Sequence, residues 1–171
     1  MRPLTIPIAA LAAVLAFAAA PALAQGYPSK PIRIVIPFPP GGGTEVVARS
    51  LGDQMSKTFG QPVVVENRPG GNSVIASEVV AKAAPDGHTL LMPTDFHAIN
   101  AAFGISLPYD SMKDFAFVAQ LTTSPLMLVA HPSTGVRSLS ELIAAARAKP
   151  GTLSFASLGS SSPPYLGFEW F

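Results

Sequence analysis

Apolar residues fall in short blocks along this chain, and their spacing switches between the strand and helix periods. Ile32, Ile34, Val35 and Ile36 make a nearly continuous apolar run, the pattern of a strand buried on both faces. Pro37, Pro39 and Pro40 end it. Val47, Leu51, Met55 and Phe59 then recur at helical spacing, with Thr44 offering an N-cap hydroxyl and Gly60 and Pro62 stopping the element. Residues 63–66 predict a second strand and 67–71 its exit loop. Val74, Ile75, Val79, Val80 and Ala83 mark a second helix, capped by Asn72 or Ser73. Pro85, Asp86 and Gly87 form a turn by their chemistry, and residues 88–92 predict a third strand. Strands alternating with helices argue for an α/β fold, an open parallel sheet joined by crossover helices.

Beyond Asp110 the pattern is less regular. Residues 115–121 and 126–131 predict two strands long enough to cross between lobes. Ser138 to Glu141 reads as a capping box before a helix over 142–149, which Pro150 and Gly151 stop. Residues 153–156 predict another strand, followed by a glycine/serine turn at Gly159, Ser160, Ser161 and Ser162 and an apolar helix start from Tyr165.

Chemistry concentrates where the first strand meets its helix. Gly41, Gly42 and Gly43 carry no Cβ, so a ligand can approach the main chain closely there. The free amides and positive dipole end of the following helix suit a carboxylate or phosphate. A phosphate-cradling P-loop needs Lys and Ser/Thr after its last glycine, and Thr44 and Glu45 stand there instead. Three consecutive glycines do not make the dinucleotide fingerprint either. A tight turn with no ligand is the remaining alternative for this segment alone. Thr94 to His97 lies beyond the third strand, on the side of an open sheet where ligands sit.

Composition narrows the classes of function. Arg2, an alanine- and leucine-rich stretch from Leu4 to Ala20, and Ala22-Leu23-Ala24 before Gln25 read as a secretory signal peptide over residues 1–24, removed after Ala24. The mature chain is then exported, and part of its mean hydropathy of +0.39 belongs to that peptide. Without Arg2, the Lys and Arg residues equal the ten Asp and Glu in number and lie scattered, which argues against nucleic acid and anionic membranes as partners. There are no cysteines, so disulfides, thiolate metal sites and cysteine catalysis are excluded. Three dispersed histidines support no metal site, and no cofactor motif is present. Roughly 145 mature residues bury about two thirds of the unfolded surface, enough for one ordinary core.

Several motifs stand in one order: Tyr27-Pro28-Ser29-Lys30-Pro31-Ile32, Pro37-Phe38-Pro39-Pro40-Gly41-Gly42-Gly43-Thr44, Glu66-Asn67-Arg68-Pro69-Gly70, Ala84-Pro85-Asp86-Gly87, and Leu107-Pro108-Tyr109-Asp110 before Lys113-Asp114-Phe115. In this the chain resembles the tripartite tricarboxylate transporter receptors, or Bug receptors, over nearly its whole mature length. The resemblance implies a type II periplasmic-binding-protein-like fold with two lobes: residues 25–120 as the first α/β lobe, and 121–171 as hinge-crossing strands and an incomplete second lobe. It implies a non-enzymatic periplasmic receptor, monomeric when intact, that captures a small carboxylated solute for membrane transporter subunits. Carried onto this chain, Gly42, Gly43 and Thr44 form the first clamp on the carboxylate, Phe38 an apolar wall, and Ser160, Ser161 and Ser162 the second clamp. Thr94 and His97 line the cleft.

The chain departs from the family pattern at Glu45, where aspartate is usual, at His88, where tyrosine is common, and at Ser161-Ser162-Pro163-Pro164. The family is also considerably longer, so a non-functional truncated fragment is an alternative expectation. One helix N-terminus contributes about 0.3–1 kcal/mol to holding a carboxylate, or about 2 when partly buried. Micromolar capture needs about 8 kcal/mol. Enclosure between two lobes must supply the rest, and this chain alone is expected to bind weakly or not at all, although an intact receptor would bind. A serine hydrolase built on Ser160 is the remote alternative; it lacks the G-x-S-x-G elbow, and every histidine precedes the serine.

Overall fold

The computed structural model describes residues 26–159 and 162–170, and the expected export segment lies outside them. The α/β fold is present. Strand β1 (Ile32–Ile36) leads through helix α1 (Gly43–Phe59) to β2 (Val63–Asn67). A 3-10 turn (Gly71–Ser73) and α2 (Val74–Ala81) follow, then β3 (Thr89–Leu91) and α3 (Phe96–Ala102). Later come a second 3-10 turn (Pro132–Thr134), α4 (Leu139–Ala148) and α5 (Pro163–Glu169). The three strands are parallel in the order β2-β1-β3, with Ile32 opposite Val63 on one side and Arg33 opposite Thr89 on the other. Since β2 is added on one side of β1 and β3 on the other, the C-terminal edge between β1 and β3 is where such a sheet leaves a crevice.

The central strand carries the core. Ile32, Val35 and Ile36 are fully buried, and Ile34 nearly so. Ile34, Ile36, Ala48 and Met92 form a cluster on which Val47, Leu51, Met55, Val63, Val65 and Leu90 pack, so one stripe of α1 covers one face of the sheet. Gly52 allows that closeness, because a Cβ there would stand 3.3 Å from Val63 Cγ1. The Ser56 hydroxyl accepts the Val63 amide at 2.9 Å and ties the helix to the next strand. Gly60 ends α1 in the left-handed conformation, as its position predicts.

The N-terminal segment is fastened beneath the sheet. Lys30 Nζ pairs with Asp86 at 2.7 Å, and the Tyr27 hydroxyl donates to the Gly87 carbonyl at 2.8 Å. Lys30 and, after it, the His88 amide push the Asp86 carboxyl down to about 2.

Several expectations need correction. Thr44 does not cap α1: Gly42 holds the N-cap position with no side-chain bond, and Thr44 lies within the first turn. Neither Asn72 nor Ser73 caps α2 through its side chain, because both residues sit at positive φ, 49° and 76°. Residues 115–121, 126–131 and 153–156 form no strands. A strand exists only by pairing, and these segments meet no edge of the sheet among the described residues. They remain exposed, Val118 at 86%, Met127 at 84% and Val129 at 78%. The Ser138 cap does form, accepting the Glu141 amide at 3.2 Å, while Glu141 reaches one residue past the N-cap and accepts the Arg137 amide at 2.7 Å.

Candidate functional site

The chain leaves β1 through the prolines and reaches α1 through three glycines whose reasons differ. Gly41 sits at φ +95°, which an L side chain rarely adopts. Gly42 and Gly43 are not required by φ or by packing: a Cβ on either would meet nothing within 4 Å. The space over the start of α1 is open. Helix geometry leaves the first-turn amides, those of Gly43 and Thr44 among them, without partners inside the helix.

One anion already belongs to this loop. Glu45 is buried, and its Oε2 accepts the Gly41 amide at 2.5 Å while Oε1 accepts from Arg49 Nε at 2.7 Å. The Gly41 amide, and then Arg49, hold the Glu45 carboxyl below its ordinary range. Its own amide donates back to the Gly42 carbonyl at 3.0 Å. A glutamate at this position closes the loop on itself, and the longer side chain supplies the reach.

Three loops share this end of the sheet. Asn67 Nδ2 donates to the Phe38 carbonyl at 2.9 Å, tying the exit of β2 to that of β1. Phe38 is half-buried, and its ring lies 6.3 Å from that of Phe96 at the start of α3. On the loop after β3, Thr94 Oγ1 is buried without a hydrogen-bond partner. Ser73 Oγ, at the end of the loop after β2, and Asn100 Oδ1, on α3, are also buried and unpartnered. Asn100 Nδ2 donates to the Asn72 carbonyl at 2.7 Å. Sequence reasoning passed over Glu45 as a loop acceptor and over Ser73 and Asn100; the Gly70-Gly71-Asn72 run after a strand was the available signal for the latter pair.

The other expected site residues are placed differently. His97 is buried and occupied: Nε2 stands 3.3 Å from the Ser111 carbonyl and Nδ1 3.2 Å from Ser77 Oγ. A carbonyl only accepts, so Nε2 carries the proton and Nδ1 accepts from the serine. The ring also stacks on Tyr109 at 5.8 Å and meets the Phe115 edge at 4.8 Å. Ser160 and Ser161 lie outside the described residues. Ser162 is fully buried and caps α5 by accepting the Tyr165 amide at 3.3 Å. A Cβ on Gly159 would lie 3.3 Å from Asn72 Oδ1, so this turn approaches the loop after β2.

Two shallow hollows, of about 290 and 480 Å³, run along the flanks of α1, the larger lined by Val46, Val47, Leu51 and Leu121 among others. Neither is lined by the glycine loop. Among the described residues, no group of three or more His, Cys, Asp or Glu is placed to hold a metal ion.

Comparison with known proteins gives one answer. Residues 47–171 match the family described as tripartite tricarboxylate transporter family receptor. Protein BugT of Bordetella pertussis is 40% identical over 155 residues, covering 90% of this chain and 48% of that protein. MatC from Rhodopseudomonas palustris, solved with bound malate, superposes with a TM-score of 0.71 at 37% identity over 80% of this chain and 47% of its own. A structure described as a periplasmic transporter aligns at 0.66 and 33% identity, over 84% of this chain and 49% of its own. The chain thus spans about half the length of the relatives it matches.

Proposed function

We propose, from the premise that the chain belongs to the tripartite tricarboxylate transporter receptor family, that its first βα loop takes the carboxylate of a small organic acid. The family consists of transport receptors rather than enzymes, and the receptor's place is the periplasm. Gly42, Gly43 and Thr44 would donate main-chain amides to the carboxylate, with Phe38 as an apolar wall and Ser160 and Ser161 as a facing clamp; Ser162, expected to share that clamp, is buried as the cap of α5 and would support the turn instead. Thr94 would contribute a hydroxyl from the loop after β3. His97 would act behind it, holding α3 against α2 rather than touching the solute. The captured acid would pass to membrane transporter subunits.

The observation that carries this reading is the open space over Gly42 and Gly43, where the fold itself would accept a side chain. Glycines kept where neither φ nor packing asks for them leave room for something else to approach the backbone. MatC, bound to malate, supports the solute class. Amide shifts in the ¹⁵N-labelled chain, titrated with mono- and dicarboxylates up to high millimolar concentration, test it. Saturable shifts centred on Gly42, Gly43 and Thr44 are expected. Shifts scattered over the surface without saturation would remove the proposal.

A further inference from the structure

We propose that Ser73 and Asn100 form a polar subsite that reads an uncharged hydroxyl on the bound acid, making the solute a hydroxy-carboxylate rather than a plain aliphatic acid. This rests on the carboxylate-capture reading above. Two buried polar atoms carry it. Ser73 holds the N-cap position of the eight-residue helix α2, where a serine normally accepts an amide of the first turn, yet it makes no such bond. Its Oγ is buried without any partner, in a residue only 3% exposed. Asn100 is fully buried, and its Nδ2 is committed to the Asn72 carbonyl at 2.7 Å. That bond fixes the amide and leaves Oδ1 as the atom without a partner.

Buried polar groups are nearly always hydrogen-bonded, and leaving two beside one loop unmade is costly. The pair also has a definite chemistry. Asn100 Oδ1 only accepts, whereas the Ser73 hydroxyl both donates and accepts. A solute hydroxyl satisfies both, donating to the amide oxygen and accepting from the serine. A carboxylate has no proton for Asn100, and Arg68, the cation of the same loop, is bound to Glu66. The Asn67 to Phe38 bond and the Phe38 to Phe96 contact set this subsite on the same edge of the sheet as Gly42, Gly43 and Thr44.

The test titrates the full chain, by amide shifts, with succinate, L-malate and D-malate, which are four-carbon diacids without and with a hydroxyl. One malate enantiomer is expected to bind at least about tenfold more tightly than succinate. Ser73→Gly suits φ +76°, so it should melt no lower than wild type; it should bring malate to within about twofold of succinate while succinate itself is unchanged. Equal binding of malate and succinate by the wild type would overturn this inference alone. So would a malate preference that survives both Ser73→Gly and Asn100→Ala, the result expected if ordered water satisfies the two groups. No binding of any of the three would remove the carboxylate reading and this inference with it.

Discussion

The Glu45 carboxylate accepts the Gly41 amide at 2.5 Å, so the loop that would greet a solute carboxylate is itself shaped by a carboxylate of the protein. The arrangement resembles a capping box, since a glutamate at the third helical position reaches back past the N-cap. Its charge is answered by Arg49 one turn along, which lessens repulsion of an incoming anion. Because the folded carboxyl titrates below its ordinary value near 4.5, its contribution is complete above that value and is lost as pH falls through the depressed one. Glu45→Gln should therefore melt below wild type by a constant interval at neutral pH, and the two melting curves should converge on acidification below the ordinary carboxylate range. An interval that never narrows over the whole acid range in which wild type stays folded would show that the charge is not what matters.

The glycines of the same loop should separate by variant. Gly41→Ala forces a side chain into φ +95° and should cost about 1–2 kcal/mol of stability. Gly43→Ala occupies the first helical position with open space around it, and should be neutral or stabilising by up to about 1 kcal/mol. Its added methyl stands where a carboxylate would approach, so carboxylate-induced amide shifts should weaken severalfold. Denaturant melts and amide-shift titrations on the two variants check this, and unchanged carboxylate binding by Gly43→Ala would contradict it.

The parts of this fold legible in the sequence are those whose neighbours lie close along the chain. Ile32, Ile34, Val35 and Ile36 announce β1 because a strand buried on both faces is apolar almost throughout, with Arg33 alone reaching out to Glu66. The Val47, Leu51 and Met55 stripe announces α1 because helix periodicity is local. Residues 115–131 have equally apolar patterns and form no strand, since pairing depends on a partner that local pattern does not reveal. The Gly70-Gly71 pair signals a turn, but not that Asn72 and Ser73 continue left-handed and free the serine from capping. Glu45 was visible only as a charge in the first turn; its reach to Gly41 depends on the φ of one glycine.

His97 offers a prediction that separates support from contact. Its ring joins Ser77 on α2 to Ser111, stacks on Tyr109 and meets Phe115 edge-on. His97→Ala leaves a cavity and strands the Ser77 hydroxyl, and should cost about 3–5 kcal/mol. His97→Phe keeps the aromatic packing but loses both hydrogen bonds, and should cost about 1–3 kcal/mol. Urea denaturation measures both. The ratio of malate to succinate affinity should not move in His97→Phe, whereas a changed ratio would place the ring at the solute.

The exposed stretch from Phe117 to Val129 should govern how the chain behaves alone in solution. Phe117, Val118, Leu126, Met127 and Val129 are each more than 60% exposed, with no charged residue among positions 115–131. Such a surface has unpaired backbone groups as well as apolar side chains, and both favour association edge to edge. Sedimentation velocity should therefore show concentration-dependent assembly. Val118→Lys combined with Met127→Lys should reduce it, because a lysine on an unpaired segment repels its copy and resists pairing. Neither side chain packs in the core, so the melting temperature of the double variant should stay within about 2 °C of wild type. Assembly unchanged by the two lysines would locate the sticky surface elsewhere, with the Trp170 end of α5, 98% exposed, as the next surface to substitute.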